Sequence, residues 1–325
     1  MNNHDVKVSV ILPVRNGAKY IRDAIDSVLN QTLHEFELII LDDESTDATV
    51  MVVEGYDDAR IHLIRMREVR SQGSGQQHEQ HEQHEQHEQH EQHEQHEQQE
   101  QHDEFRLARL LNYGMTLGMG KYIARMDADD VCRPDRLEKQ VSFLEQHPDV
   151  TFCGVFGYVL GTDRVWTCPV EHEDIRASLL FYNVILHSGV LIRREDWVRH
   201  KFAYPLEYPH AEDYGLWVEM IEKVRFHILP DPLLYYRLHE GQVSSHNRRT
   251  QFAAGTRLQA QILKRMGVDF TDEELQVHTQ CRSLVGDWRL RKWCDKVLTR
   301  NLENPVYDQA ALERIVKPLM ASSES

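Results

Sequence analysis

Residues 7 to 30 read KVSVILPVRNGAKYIRDAIDSVLN. A β-branched apolar run stops at Asn16-Gly17 and passes into a segment with Ile21, Ile25, Val28 and Leu29 on one helical face. The order repeats: FELIILDD (36–43) predicts a second strand, residues 47–54 a helix, IHLIRM (61–66) a third strand, and 105–117 another helix. YIARMD (122–127) predicts a fourth strand, and 134–147 a helix with Pro134 in its first turn. Strands alternating with helices require a parallel sheet, so the expectation is an α/β fold with a mostly parallel sheet flanked by helices.

Residues 1–150 therefore read as the nucleotide-binding half and 151–245 as a mixed second half. In the latter, short strands near 151–160, 189–193 and 233–238 alternate with helices near 174–181 and 214–223. Residues 246–325 read as a helical C-terminal extension. Between 70 and 103 lies a low-complexity insertion in which HEQ is written seven times from His78 to Gln98. A period of three does not match 3.6, and no apolar residue stands between Val69 and Phe105. The tract therefore reads as a solvated insertion into one connection.

The formal net charge is -16, and the eight glutamates of 78–102, with no Lys or Arg beside them, account for half of it. No basic face is evident, so nucleic acid is not an expected partner. Five cysteines show no CxxC pair, which fits a reducing compartment. The N-terminus has no signal-peptide pattern and no run of about 18 apolar residues occurs, so a cytoplasmic location is expected.

In sheets of this kind ligands bind beyond the carboxyl ends of the strands. Three such ends are polar here: Pro13-Val14-Arg15-Asn16, Asp42-Asp43, and Asp127-Ala128-Asp129-Asp130. Carboxylates repel a diphosphate, so an acidic crevice that holds a nucleotide needs a divalent cation, Mg2+ or Mn2+, between them. Asp42-Asp43 before Ser45-Thr46 also suits a helix N-terminus.

The segment from Lys7 to Thr49 resembles the opening of the family 2 glycosyltransferases, with its Pro-x-x-Asn turn and its strand ending in an Asp-Asp run. LNYGMTLGMGKYIARMDADD resembles the block that carries their DXD motif, and HAEDYGLWVEM and YYRLHEGQVS resemble two downstream motifs. These cover roughly residues 6 to 245 in the family's order. The resemblance implies a GT-A, Rossmann-like fold over 1–245. It implies inverting transfer of a sugar from a nucleotide-sugar donor, with a lean toward UDP, to an acceptor hydroxyl in surface polysaccharide or glycoconjugate synthesis.

Carried over by position, Pro13, Arg15, Asn16, Asp42, Arg106, Asp127 and Ala128 fall at the donor, and Asp129, Asp127 and His239 at the metal. Asp213 falls on the general base, with Glu212 orienting the acceptor. Arg15 stands where the family commonly has Tyr, and Glu44 where it has Gly. Without the resemblance, Glu212-Asp213 reads as carboxylates complementing a helix dipole. His187 reads as core or loop packing. DWRLRKWCDKVLTR near the C-terminus, with Trp288 and Trp293 among basic residues, allows peripheral contact with the inner face of a membrane. A non-catalytic binding protein of the same fold and a His-rich metal-binding protein stay open as alternatives.

Overall fold

A computed structural model describes residues 6–73, 105–239, 242 and 247–321. The HEQ tract, Glu240 and Gly241 lie outside the described residues. The elements run β1 (Val8–Val14), α1 (Ile21–Leu29), β2 (Phe36–Asp42), α2 (Thr49–Glu54), β3 (Ile61–Arg65), α3 (Met66–Gly73), α4 (Arg106–Leu117), β4 (Tyr122–Arg125), β5 (Val131–Cys132) and α5 (Arg136–Gln146). Then follow β6 (Val150–Val159), β7 (Val165–Trp166), α6 (His172–Leu179), a 3-10 turn at His187–Gly189, β8 (Leu191–Arg193), α7 (Arg194–His200), α8 (Glu212–Met220) and β9 (Arg225–Tyr236). Four helices close the chain: α9 (Arg248–Met266), α10 (Asp272–Thr279), α11 (Trp288–Glu303) and α12 (Gln309–Met320).

The strands form one nine-stranded sheet in the order β3-β2-β1-β4-β8-β6-β9-β5, with β7 on β6. β3, β2, β1 and β4 are mutually parallel, while β8 runs antiparallel to β4 and to β6. The alternation of side chains along a strand sends residues to two buried layers. Ile11, Ile39, Leu41, Ile123 and Ile192 join one layer with α4, α6, α8 and the C-terminal helices. Val10, Leu12, Leu38, Ile40, Tyr122 and Leu191 join the other with α1 and α5. Both faces being covered explains why β1 and β2 are apolar at nearly every position. Gly114 lets α4 lie close on the sheet, since a Cβ there would come within 2.5 Å of Leu41 and 2.8 Å of Ile11.

β9 is longer than expected and begins at Arg225. Pro230 and Pro232 disguise it, and its pairing with β6 slips in register beside them, as prolines in a sheet require. β5, β7 and α7 are too short to leave a periodic signal.

The residues from 248 to 320 are helical as expected, and their apolar side chains share the first layer. Trp293 is buried there rather than on the surface, while Trp288 is exposed. Trp293 Nε1 donates to His278 Nδ1 at 3.0 Å, and His278 Nε2 lies 2.9 Å from the Leu180 carbonyl. An indole N–H can only donate and a carbonyl can only accept, so His278 is fixed as the neutral tautomer with its proton on Nε2. Burial lowers its pKa from 6.5 to about 4.

A base with a depressed folded pKa costs stability as pH falls from the unfolded value toward the folded one. Between pH 7 and pH 4 the wild type should lose about 3 kcal/mol more than His278→Gln, which keeps one donor and one acceptor but does not titrate. Urea unfolding at the two pH values measures this, and equal losses would contradict the tautomer assignment.

Candidate active site

The carboxyl ends of β1, β2 and β4 open into one cleft of about 820 Å³. Pro13, Arg15, Asn16, Arg106, Asp127, Ala128, Asp129 and His239 all line it, although they come from four separate stretches of chain. Asp42 is not among its lining residues and Asp43 is. Asp42 is buried beneath the turn, with its Oδ2 at 3.4 Å from the Ser45 N–H.

The first wall is two turns stitched together. Asn16 has φ 53°, a left-handed conformation that asparagine tolerates. Its N–H donates to Ser45 Oγ at 2.9 Å and its Oδ1 accepts from the Thr46 N–H at 2.8 Å. The N–H groups of Gly17 and Ala18 donate to Thr49 Oγ1 and Asp47 Oδ2. Ser45 and Thr46 therefore hold the β1 turn instead of capping α2. Glu44 has φ 58°, which explains why a glycine suits this position. The glutamate accepts from Arg106 Nη2 at 3.0 Å, and Arg106 also binds the Asp43 carboxylate and carbonyl.

Beyond β4, Asp127, Asp129 and Asp130 can each offer a carboxylate oxygen, with all three oxygens within 4.8 Å of one another. Asp130 is fully buried; its Oδ1 accepts from the Arg237 N–H at 2.9 Å, while its Oδ2 has no hydrogen-bond partner among the described residues. Burial first, and then the charges of Asp127 and Asp129, hold its pKa well above the usual carboxylate range. Burial and Asp127 likewise raise Asp129, against the pull of His239. His239 Nε2 lies 2.8 Å from Asp129 Oδ2. Hard oxygen donors gathered on one point, one of them buried and unpartnered, with an imidazole adjacent, are a donor set that fits Mg2+ or Mn2+.

Two arginines that the sequence reading passed over organise this cluster. Arg125 is buried and ion-paired with Asp127, which keeps it charged although burial opposes this. Arg237 donates from Nε to the Asp129 carbonyl at 2.7 Å and from Nη2 to Asp23 at 2.9 Å, lying over the Tyr20 ring. Gln242 Nε2 in turn donates to the Arg237 carbonyl at 2.6 Å. An arginine at an inward position of an apolar strand was a usable signal for Arg125. Arg237 left none, because its side-chain partners lie more than a hundred residues away.

Glu212 and Asp213 begin α8 and are not among the cleft-lining residues, but they share the field of Arg125 and Asp127. Burial, then Asp213, pushes Glu212 up to about 7. Burial also raises Asp213, opposed by hydrogen bonds from the Tyr214 N–H at 2.7 Å and Asn183 Nδ2 at 2.8 Å and by Arg125. His187 packs as a core residue: its Nε2 lies 2.9 Å from Tyr204 Oη and its ring meets Trp217 at 5.6 Å. Asn112 is a strut, bonded to both the N–H and the carbonyl of Tyr204.

The pattern of the family described as Glycosyl transferase family 2 matches residues 9–78 and 85–197. The chain belongs to this family. An uncharacterized glycosyltransferase of Haemophilus influenzae is 29% identical over 282 residues, covering 81% of this chain and 76% of that one. Among solved structures, S. aureus TarS 1-349 in complex with UDP-GlcNAc superposes with a TM-score of 0.55 at 16% identity, covering 95% of this chain and 83% of that one. The mannosyltransferase PcManGT from Pyrobaculum calidifontis, in complex with GDP-Man and Mn2+, gives 0.51 at 17% identity, with 95% and 78% covered. At such identities the two structures show a shared GT-A fold. No helix among the described residues is long and apolar enough to cross a membrane.

Glu212 gives a pH prediction with a definite sign. A carboxyl whose pKa rises on folding costs nothing below the unfolded value of 4.5 and most above about 7. The stability of Glu212→Gln relative to wild type should therefore increase from pH 4.5 to pH 7 and level off above it in urea titrations. A constant difference would show that Glu212 does not titrate in this range. Arg237→Ala should lose about 2 kcal/mol at pH 7, the worth of hydrogen bonds from a charged donor.

Proposed function

We propose that this protein is an inverting, metal-dependent glycosyltransferase that moves a sugar from a nucleotide-sugar donor to a hydroxyl of a polysaccharide or glycoconjugate, with UDP-sugars the first donors to test. The observation that carries the proposal is the pairing of the Asp127-Asp129-Asp130 cluster with the buried Glu212 and the half-buried Asp213 through one shared cation, Arg125. The complexes of the structural neighbours with UDP-GlcNAc and GDP-Man support a nucleotide-sugar donor.

Pro13, Arg15 and Asn16 surround the nucleoside from the β1 turn. Asp42 supports the opposite turn from below, and Asp43 and Ala128 complete its wall with Arg106. Asp127, Asp129 and His239 would hold the divalent ion, with Asp130 behind them. When bound, that ion neutralises charge on the departing diphosphate.

Inversion requires attack in line with the leaving group, so the base must act from the acceptor side. Asp213 accepts the hydroxyl proton as the new C–O bond forms and the bond to the nucleoside diphosphate breaks. Asn183 fixes the carboxylate's rotamer, and burial keeps it basic enough for the task. Glu212 orients the acceptor. The exposed Trp288 with Arg289, Arg291 and Lys292 on α11 supplies a surface for anionic lipid where the acceptor is membrane-linked.

The test is a panel of nucleotide sugars with Mn2+ or Mg2+, read as donor hydrolysis and thermal stabilisation. Response to at least one donor is expected, and none would favour a non-catalytic protein of this fold. Asp213→Asn should lower turnover by about 10²–10⁴-fold, the usual worth of a positioned base, while donor affinity is kept. Turnover near wild type would remove Asp213 from this role. Asp129→Asn should weaken Mn2+ binding at least about tenfold by calorimetry.

A further inference from the structure

β7 is a two-residue strand at the margin of the sheet, paired among the described strands with β6 through Gly157↔Trp166 and Tyr158↔Val165. Its Trp166 is 36% exposed although the indole has defined partners on two sides. Those partners belong to the two halves of the proposed site.

On one side the Trp166 ring meets Tyr236 edge-on, with centroids 6.1 Å apart and planes at 61°. Tyr236 ends β9 three residues before His239, and burial together with Asp130, Asp127 and Asp129 pushes its pKa up to about 12. The next residue, Arg237, donates its N–H to Asp130 Oδ1 at 2.9 Å, so Tyr236 ends beside the carboxylate cluster. On the other side Trp166 Nε1 donates to the Val184 carbonyl at 3.3 Å. The preceding residue, Asn183, donates to Asp213. The indole N–H is thus used within the protein, so what the exposed part of the ring can offer a ligand is carbon surface.

We propose that Trp166 is the stacking platform for a pyranose ring of the acceptor, placing one ring hydroxyl between Asp213 and the donor. The proposal rests on the donor and base assignments made above. A pyranose carries on one face a patch of C–H groups with its hydroxyls around the rim. The electron-rich face of an indole attracts those polarised C–H groups and leaves the rim free to hydrogen-bond. An acceptor lacking a sugar ring would gain nothing from this surface, which makes the residue a determinant of specificity rather than of turnover.

The experiment uses the full chain, the nucleotide sugar that the wild type hydrolyses, and four acceptor probes. The methyl β-glycosides of glucose, galactose and N-acetylglucosamine present a ring, and glycerol presents hydroxyls without one. Trp166→Ala should raise the KM of the accepted glycosides about tenfold, and Trp166→Phe should stay within about threefold of wild type. Hydrolysis of the donor by water and transfer to glycerol should be unchanged in both variants, which a merely structural loss at β7 would not allow.

An unchanged glycoside KM in Trp166→Ala would overturn the inference, as would an equal loss in every reaction. A wild type that hydrolyses donor but transfers to none of the glycosides would overturn it as well, with the donor assignment left standing. Absence of any donor hydrolysis in the wild type would overturn both.

Discussion

Three carboxylate oxygens within 4.8 Å of one another at the end of a buried strand repel each other by roughly 3 kcal/mol per pair, taking an effective dielectric constant near 20. The fold around the cleft is arranged to offset that repulsion. Arg125 meets Asp127 from within β4, Arg237 reaches the Asp129 carbonyl and the Asp130 carboxylate from the end of β9, and His239 sits against Asp129. These compensating groups come from two places, Arg125 from β4 and both Arg237 and His239 from the segment after β9, so the charge cluster draws the ends of β4 and β9 together. The turn is also supported from behind, where buried Arg136 donates to the carbonyls of Arg125 and Val190. A cation shared by the aspartates is the natural complement of what the protein leaves uncompensated, above all the buried Asp130 Oδ2.

Arg125 also links this cluster to the start of α8. Its charge acts on Asp127, Glu212, Asp213 and the His187 ring, and it lowers the pKa of each group whose shift it enters. Burial first, and this guanidinium second, hold His187 neutral, and the same charge tempers the raised pKa values of the two α8 carboxylates. A charge acting on both the aspartate cluster and the start of α8 couples the two electrically without contact between them. It also explains why a charged residue stands at an inward position of a central strand, where an apolar one would pack more cheaply.

The β1, β2 and β4 strands were legible because burial on both faces leaves an unbroken apolar run, and the polar residues that interrupt it mark the strand ends. The aspartates of the 127–130 turn were legible for the same reason. The choice between Asp42 and Asp43 was not, since adjacent residues at a strand end point to opposite sides and only the last ladder pair, Val14↔Asp42, fixes which way each faces. Arg237 and Trp166 escaped because their meaning lies in partners distant in sequence. Ser45 and Thr46 carried a helix-start signature that a tertiary contact, the Asn16 turn, took over. Local chemistry thus marks where polar groups gather but not which partners they serve.

The C-terminal helices show how a region with no readable motif bears on the site. α6 ends at Leu179, and carbonyls at a helix end lack intrahelical partners. The carbonyl of Leu179 accepts from Tyr214 Oη at 2.6 Å, that of Leu180 from His278 Nε2 at 2.9 Å, and that of Phe181 from Gln259 Nε2. Three consecutive acceptors are thereby satisfied by α8, α10 and α9. The next residues are Tyr182 and Asn183, and Asn183 orients Asp213. Arg176, one turn back on α6, is held by Glu222 and by the Val306 carbonyl ahead of α12. The segment that presents Asn183 to Asp213 is therefore fixed from behind by residues 248–320, and the position of the Asp213 carboxylate depends on helices that, among the described residues, contribute no side chain to the cleft beyond Asn247 at their start.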